Sequence, residues 1–406
     1  MQFERTFSLV TKMRICVLGG AGHIGSGVMR ALVKRAPDAE VVIADKNLEE
    51  AEELVAELGG KISTQSVDAN DSKSLIKVMK DVDIAIGAIG PYYTYGVKVL
   101  KAAIDAKTNF VDIDDDYDAT KACLALHEGA KKAGITAIIG LGATPGLTNI
   151  LAKYGSEKLD KVDEIHTAWA WTAMDPFMGP AIIAHYFHAS TGDVPTYRDG
   201  KWVEISALSE PEVVEFPPPL SEIEVYNVGH PEPVTIPRYI KGVKVVTNKG
   251  TVWPSLMTEA SKIFAKLGLI SLKDFTIKGV TMPVRDVAVQ FVMSIPDLTP
   301  AETISALATE AEERYGEYAL EGVGLKVKVK GESQGKTICY SYGVASRSAV
   351  VCTALPAALG ALMVAAGKVK EKGVFAPEGV IDSKSFLKEI AKDIEVLETE
   401  EKAGKL

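Results

Sequence analysis

Between residue 14 and about residue 145 the chain alternates short runs of apolar, mostly β-branched residues with amphipathic helical stretches. No other feature constrains the fold as much, because parallel strands need long crossovers and the spacers here are helix-sized. The strand-like runs lie at residues 14–18, 41–44, 62–67, 82–88, 109–113 and 135–141. Helical stretches fall between them at 24–35, 48–58, 73–80, 97–106 and 119–133. Six strands in this rhythm predict an α/β fold, a Rossmann doubly wound parallel sheet, with right-handed crossovers limiting its topology.

From about Thr148 the rhythm changes. A helix at 147–154 precedes a one-face-buried strand at 162–172, and Asp199-Gly200 predicts a hairpin turn within 196–205. Beyond the stiff Pro217-Pro218-Pro219 loop come a strand at 244–247, a helix at 256–267, a long strand at 284–295, a helix at 300–315, and strands at 325–330 and 337–342. This pattern predicts a second domain of the α+β class. Helices at 348–366 and 384–397 then pack back on the first domain. The resulting boundaries are 13–146, 147–345 and 346–406, within the two to three domains that 406 residues allow.

A composition of 47% hydrophobic and 24% charged residues excludes a disordered chain. The net charge of -9, without a Lys/Arg run, argues against a nucleic-acid partner. Four scattered cysteines without CxxC or zinc spacing read as free thiols of a reducing compartment, with a cytoplasmic location expected. Residues 1–12 lack the apolar core of a signal peptide and read as an extension or an upstream start before Met13. Residues 349–367 are uncharged and long enough to count as a membrane-spanning candidate, but they are Ala-rich, contain Pro356 and lack an aromatic belt. They read as a buried helix, so no membrane partner is expected.

Gly20-Ala-Gly22-His-Ile-Gly25 follows the first strand directly and opens a helix. In that context Gly20 permits the tight turn, Gly22 the approach of a pyrophosphate, and Gly25 the packing of helix on strand. His23 and Ile24 complete the loop, with His23 facing phosphate or solvent. Asp45 ends the second strand and suits the ribose hydroxyls of NAD, whereas the adjacent Lys46 would answer the 2′-phosphate of NADP. NAD is favoured over NADP on that basis. Asp68, Ala88, Gly90 and Pro91, at the exits of strands three and four, complete the expected cofactor contacts.

The strand-four exit continues as Tyr92-Tyr93-Thr-Tyr95-Gly96, tyrosines in a glycine loop able to wall a pocket or merely to cover apolar surface. Tyr92 is the expected substrate contact among them. At the strand-five exit Asp112, Asp114, Asp115 and Asp116 concentrate carboxylates, either as a solvated loop or helix cap or, at this rim of the sheet, to meet a substrate amine.

Read together, these residues resemble the saccharopine dehydrogenase family, with its lysine 6-dehydrogenase and carboxynorspermidine dehydrogenase relatives. The resemblance rests on GGAGHIG with Asp45, DVDIAIGAIGPYYTYG, KAAIDAKTNFVDI and Gly142-Ala-Thr-Pro145-Gly146-Leu-Thr-Asn149. It extends to VYNVGHPEPVTIPR and to the C-terminal KGVFAPEGVID, and so spans nearly the whole chain. It implies an inserted α+β domain for substrate and dimer contacts, and oxidation of the CH–NH group of an amino acid or an amine–keto acid adduct, linked to NAD or NADP, in a homodimer. Carried onto this sequence, the family's sites are the acid at Asp112 or Asp114, Asn149, and Arg238.

The chemistry of the residues fits that class. A carbon beside an amine gives up hydride only when the nitrogen is neutral, so a base must take its proton. Asp112, Asp114 and His230 are the candidates, and Arg238 is suited to a substrate carboxylate. Arginine is sparse in the substrate region, which favours a substrate smaller and less acidic than saccharopine. His185 and His188, three apart on a predicted helix, lack a third ligand, so no metal is expected. A carbonyl or enoyl reductase and a non-catalytic NAD(P) sensor remain alternatives.

Overall fold

A computed structural model describes residues 13–175, 178–253 and 255–402. Residues 1–12, and with them the reading as an extension, lie outside the described residues. The chain divides into two compact units. One takes residues up to Ile150 together with Val350–Asp393, and the other takes Leu151–Ala349 together with the residues from Ile394.

The first unit is built on a seven-stranded, wholly parallel sheet. In chain order its strands are β1 (Arg14–Leu18), β2 (Glu40–Asp45), β3 (Ile62–Ser66), β4 (Ile84–Gly87), β5 (Asn109–Asp112) and β6 (Thr136–Ile138). The late strand β17 (Gly373–Phe375) adds to the β6 edge, giving the order β17-β6-β5-β4-β1-β2-β3. The order reverses between β1 and β4, where doubly wound sheets bind ligands. β1, β4 and β5 are buried almost throughout, as expected of strands covered on both faces.

The helices between the strands follow the sequence reading with two corrections. The helix after β4 begins at Tyr92 and runs to Ala106, so the tyrosines sit in its first turn rather than in a glycine loop. The stretch 119–133 is two helices, Tyr117–Leu124 and His127–Ala133.

The uncharged helix Ala349–Ala365 is buried along most of its length in spite of Pro356. No helix among the described residues is long and apolar enough to cross a membrane. A Cβ on Gly27 would lie 2.4 Å from Val350 and 3.0 Å from Ala354, so this helix meets the helix His23–Arg35 closely. Arg35 also pairs with Glu389 and Asp393, tying the later C-terminal residues to the same helix.

The second unit holds a nine-stranded mixed sheet. Its strands are β7 (Lys161–Thr172), β8 (Asp193–Arg198), β9 (Lys201–Ser206), β10 (Glu212–Glu215), β11 (Glu222–Asn227), β12 (Val245–Trp253), β15 (Val323–Ser333), β16 (Lys336–Ser346) and β18 (Leu397–Lys402). A separate hairpin pairs β13 (Asp274–Ile277) with β14 (Val280–Pro283). β8 and β9 turn at Asp199-Gly200, both with positive φ, as the sequence predicts.

Two sequence expectations fail here. Residues 284–295, read as a long strand, form the helix Val284–Met293. Arg285, Ala288 and Val289 are its buried residues and Val292 packs beside them, the 3.6-residue period of a helix rather than alternation. The helix expected at 384–397 spans only Ser383–Ile390, and Leu397 opens β18, which pairs with β16 in the second unit's sheet.

Candidate active site

At the end of β1 the chain turns through Gly19, whose φ of 73° and whose N–H, donating a hydrogen bond to the Ala44 carbonyl, fix the bend. This corrects the sequence reading, which gave the turn to Gly20. Gly20 instead allows close packing, because its Cβ would lie 3.0 Å from the Val17 carbonyl oxygen and 3.1 Å from Ile43. At Gly25 a Cβ would fall 2.0 Å from the Gly19 carbonyl oxygen, so only glycine lets the helix start there. Gly22 is exposed, and a Cβ on it would meet only the Gly19 carbonyl oxygen.

The helix His23–Arg35 has no side-chain cap and no acidic residue in its first turn. Its free N–H groups and partial positive charge therefore favour an anion. Asp45 is nearly buried; one carboxylate oxygen accepts from Ala21 N and the other from Asn47 N. It is thereby held against the glycine turn. Ala88 joins the same cluster, its N–H donating to Leu18 O and its carbonyl lying where a Gly19 Cβ would clash. These residues fit a nicotinamide dinucleotide: Gly22 and the helix terminus its pyrophosphate, Asp45 its ribose.

His23 and Ile24 form the first helical residues beside this terminus. Gly90 and Pro91 lead from β4 into the helix Tyr92–Ala106. Lys46 is exposed, and exposed Asp68 closes a local turn by accepting from Asn70 N.

Asp112 ends β5, in register with Gly87 of β4, which in turn pairs with Leu18 of β1. At ~4.8 Å per strand it stands about 10 Å across the sheet from the glycine turn. From it runs a ladder of side-chain turns. Asp112 Oδ1 accepts from Asp114 N and from Gly140 N, and Asp114 Oδ1 accepts from Asp116 N. Asp116 Oδ2 accepts from Tyr93 N in the first turn of the helix Tyr92–Ala106. A carboxylate every second residue thus shapes the loop as well as charging it.

The ladder separates the candidate acids. Asp114 has both oxygens engaged, the second by Thr120 Oγ1 at 2.9 Å. Asp112 Oδ2 is buried and has no hydrogen-bond partner among the described residues. Burial raises the Asp112 carboxyl to about 7, against the lowering effect of its two backbone donors. Burial, then the charges of Asp112 and Asp116, push Asp114 well above the carboxylate range.

Tyr92 is buried and its hydroxyl donates to the Gly87 carbonyl at 2.9 Å. Burial and then the nearby charge of Asp112 hold this phenol well above its usual range. Asp115 is partly exposed beside this group and contributes to both the Tyr92 and the Asp112 shifts.

Asn149 has an internal role. Its Oδ1 accepts from Gly146 N, and its Nδ2 donates to Glu378 Oε2 at 3.0 Å. The Gly-x-x-Pro-Gly-x-x-Asn turn and the Ala-Pro-Glu segment, 229 residues apart, are therefore one junction. Gly146, at φ 124°, passes so close to Gly142 that a Cβ would lie 2.2 Å from its oxygen.

In the second unit His230 is buried and pairs through Nδ1 with buried Glu232 at 2.7 Å, with the Trp169 and His185 rings 5.7 and 5.6 Å away. Arg238 is exposed on the short helix Glu232–Tyr239, over the Trp202 ring, with its Nε donating to Val234 O. The structure does not bring it to His230. Buried Arg285 donates to His188 Nδ1. Neither Glu232 nor Arg285 was a sequence candidate, and a carboxylate two residues from a histidine was the only available signal.

A model of the saccharopine dehydrogenase NADP-binding domain matches residues 15–138, and one of the saccharopine dehydrogenase C-terminal domain matches residues 142–395. The chain is 23% identical to carboxyaminopropylagmatine dehydrogenase of Synechocystis sp., over 88% of this chain and 91% of the relative. It is 24% identical to carboxynorspermidine synthase of Vibrio cholerae, over 88% and 90%. Among solved structures, apo saccharopine dehydrogenase (L-Glu forming) from Saccharomyces cerevisiae shares the fold, with a TM-score of 0.64 at 19% identity over 96% of this chain and 99% of that one. Homospermidine synthase from Legionella pneumophila, in complex with NAD, does so with a TM-score of 0.57 at 11% identity over 96% and 91%. With both family models matched and the glycine turn and acid ladder in place, the chain belongs to the saccharopine dehydrogenase family of NAD(P)-dependent oxidoreductases.

Proposed function

We propose that the enzyme oxidises, or forms by reduction, the bond between a carbon and the secondary amine nitrogen of a carboxylated di- or polyamine. The observation that carries this reading is Asp112: a buried carboxyl near 7 with one unpartnered oxygen, on the strand next but one to the glycine turn. Bound nicotinamide dinucleotide supplies the hydride acceptor. Asp112 takes the amine proton through Oδ2, while its two backbone donors hold Oδ1 in place. In the opposite direction the protonated carboxyl returns that proton to nitrogen. Asp114, with both oxygens engaged, braces the loop, and partly exposed Asp115 attracts an ammonium. Tyr92 walls the pocket. Asn149 sets the turn, and His230 with Glu232 forms a second proton-accepting pair.

The choice of an amine-rich substrate rests on the cations. Saccharopine carries three carboxylates, yet of the five arginines of the second unit Arg198 and Arg347 are paired with Glu210 and Glu317 and Arg285 is buried against His188, which leaves Arg238 and Arg314, each beside an aromatic ring. The acidic ladder suits a polycation better. The names of the Synechocystis and Vibrio relatives point to substrates of that kind. NAD is favoured by Asp45, which would repel a 2′-phosphate. The assembly is a homodimer.

The test follows the absorbance of reduced nicotinamide with NAD or NADP against carboxynorspermidine, carboxyaminopropylagmatine, saccharopine and lysine. Turnover of the first two, lost in Asp112→Asn with cofactor binding retained, is expected. Turnover only of saccharopine or lysine would overturn the substrate assignment.

A further inference from the structure

We propose that the second unit carries an anion site on the face of its nine-stranded sheet that holds Lys326 and Lys328, and that this site takes a phosphate group. The proposal is independent of the substrate reading above. Three neighbouring strands build the cradle, because residues directly opposite one another in a sheet share a face. β12, β7 and β15 set Lys249, Ala168 and Lys326 in one row, and Thr247, His166 and Lys328 in the adjacent row of that face. Glu212 and Val214 of β10 complete the rim of a shallow concavity lined by these residues. Ala168 leaves its floor open: at ~4.8 Å per strand, Lys249 and Lys326 stand about 10 Å apart with only a methyl group between them. Trp169, whose ring lies near His230, is opposite Leu325 and therefore on the other face of the sheet.

The three lysines of β15 differ in what faces them. Lys330 lies opposite Glu164 and pairs with it at 3.0 Å. Lys328 lies opposite His166, whose ring nitrogens are taken by Thr247 and Glu164, and Lys326 lies opposite Ala168. Neither Lys326 nor Lys328 has a hydrogen bond or an ion pair among the described residues. Lys326 is also half-buried. Burial, and then the charge of Lys328, pull its ammonium below the usual lysine range in spite of Glu215 and Glu401.

The lining carries Lys249, Lys326 and Lys328 against one carboxylate, Glu212, which Lys249 holds at 2.9 Å. Two adjacent unpaired lysines in a chain of net charge -9 are a cost that a bound anion offsets. A dianion matches two ammonium groups. Lysine meets phosphate as a point charge, whereas the planar carboxylate is better served by the arginine fork, and no arginine lines this concavity.

Phosphorus NMR titration of the full chain with sodium phosphate, at constant ionic strength in chloride, tests this. Saturating NAD keeps phosphate from the glycine turn. Wild type should bind with a Kd of roughly 1 mM, and Lys326→Met and Lys328→Met should each weaken binding about tenfold, whereas Lys201→Met, outside the cradle, should not. Should a cradle variant fail to fold, acetylation of wild-type lysines read by mass spectrometry replaces it. About 10 mM phosphate should then slow labelling of Lys326 and Lys328 roughly threefold or more and leave Lys201 unchanged. Glycerol 3-phosphate, titrated in parallel, identifies the source: tighter binding than phosphate supports the site as one for a phosphate ester, and weaker binding supports it as one for the free ion. No binding of either compound, binding that survives both lysine variants, or acetylation indifferent to phosphate would overturn the proposal.

Discussion

Replacing Asp112 by asparagine should leave the protein progressively more stable relative to wild type as pH rises. Burial moves the Asp112 carboxyl from 3.8 to about 7. A carboxyl raised in the folded state keeps its proton there while the unfolded chain has lost it. Its stabilising effect is therefore full below about pH 4 and is lost as pH rises through 7. Within that window wild type loses about 1.4 kcal/mol per pH unit from this group, and the Asp112→Asn variant loses none. Between pH 5 and pH 7 the gap between variant and wild type should widen by roughly 2 kcal/mol. Any fixed cost of burying the new amide cancels from that change. Urea titrations of both proteins without cofactor, from pH 5 to 8, measure the gap directly. A gap constant within about 0.5 kcal/mol across the range would show that Asp112 titrates as an ordinary carboxylate and would remove the basis for its role.

Gly25→Ala should abolish cofactor binding, measured by quenching of protein fluorescence with NADH, because its Cβ would overlap the Gly19 carbonyl. Asp45→Ala should raise kcat/KM for NADP relative to NAD by tenfold or more in steady-state assays, as about 1.4 kcal/mol of repulsion at the 2′-phosphate is removed. Asn149→Ala should cost about 1–3 kcal/mol in urea unfolding, since it strips a buried bond from Glu378 and from Gly146 N.

The first unit was largely legible because β1, β2 and β4 are compact apolar runs bounded by turns, and the glycine at 25 has no substitute. Even there, Gly19 and Gly20 could not be told apart, since positive φ is a property of the folded turn. Residues 284–295 misled because valine-rich sequence suits a strand, whereas tertiary packing on Ile183 and Ile270 selected the helical period. β17 has three residues and β18 reads LETEEK, too short or too polar for any local signal. The cluster Asp112–Asp116 stood out by charge. Its division of labour, with Asp114 engaged and one oxygen of Asp112 left over, depends on Gly140 and Thr120 and is written only in three dimensions.

Transfer of a labelled hydride tests the central claim most directly. Carboxynorspermidine deuterated at the carbon beside its secondary amine would be incubated with enzyme and NAD or NADP, and the reduced cofactor examined by mass spectrometry. Direct CH–NH oxidation yields reduced cofactor one mass unit heavier. Reduced cofactor without deuterium, or no reduced cofactor with any amine while a ketone or enoyl compound consumes NADH, would contradict it.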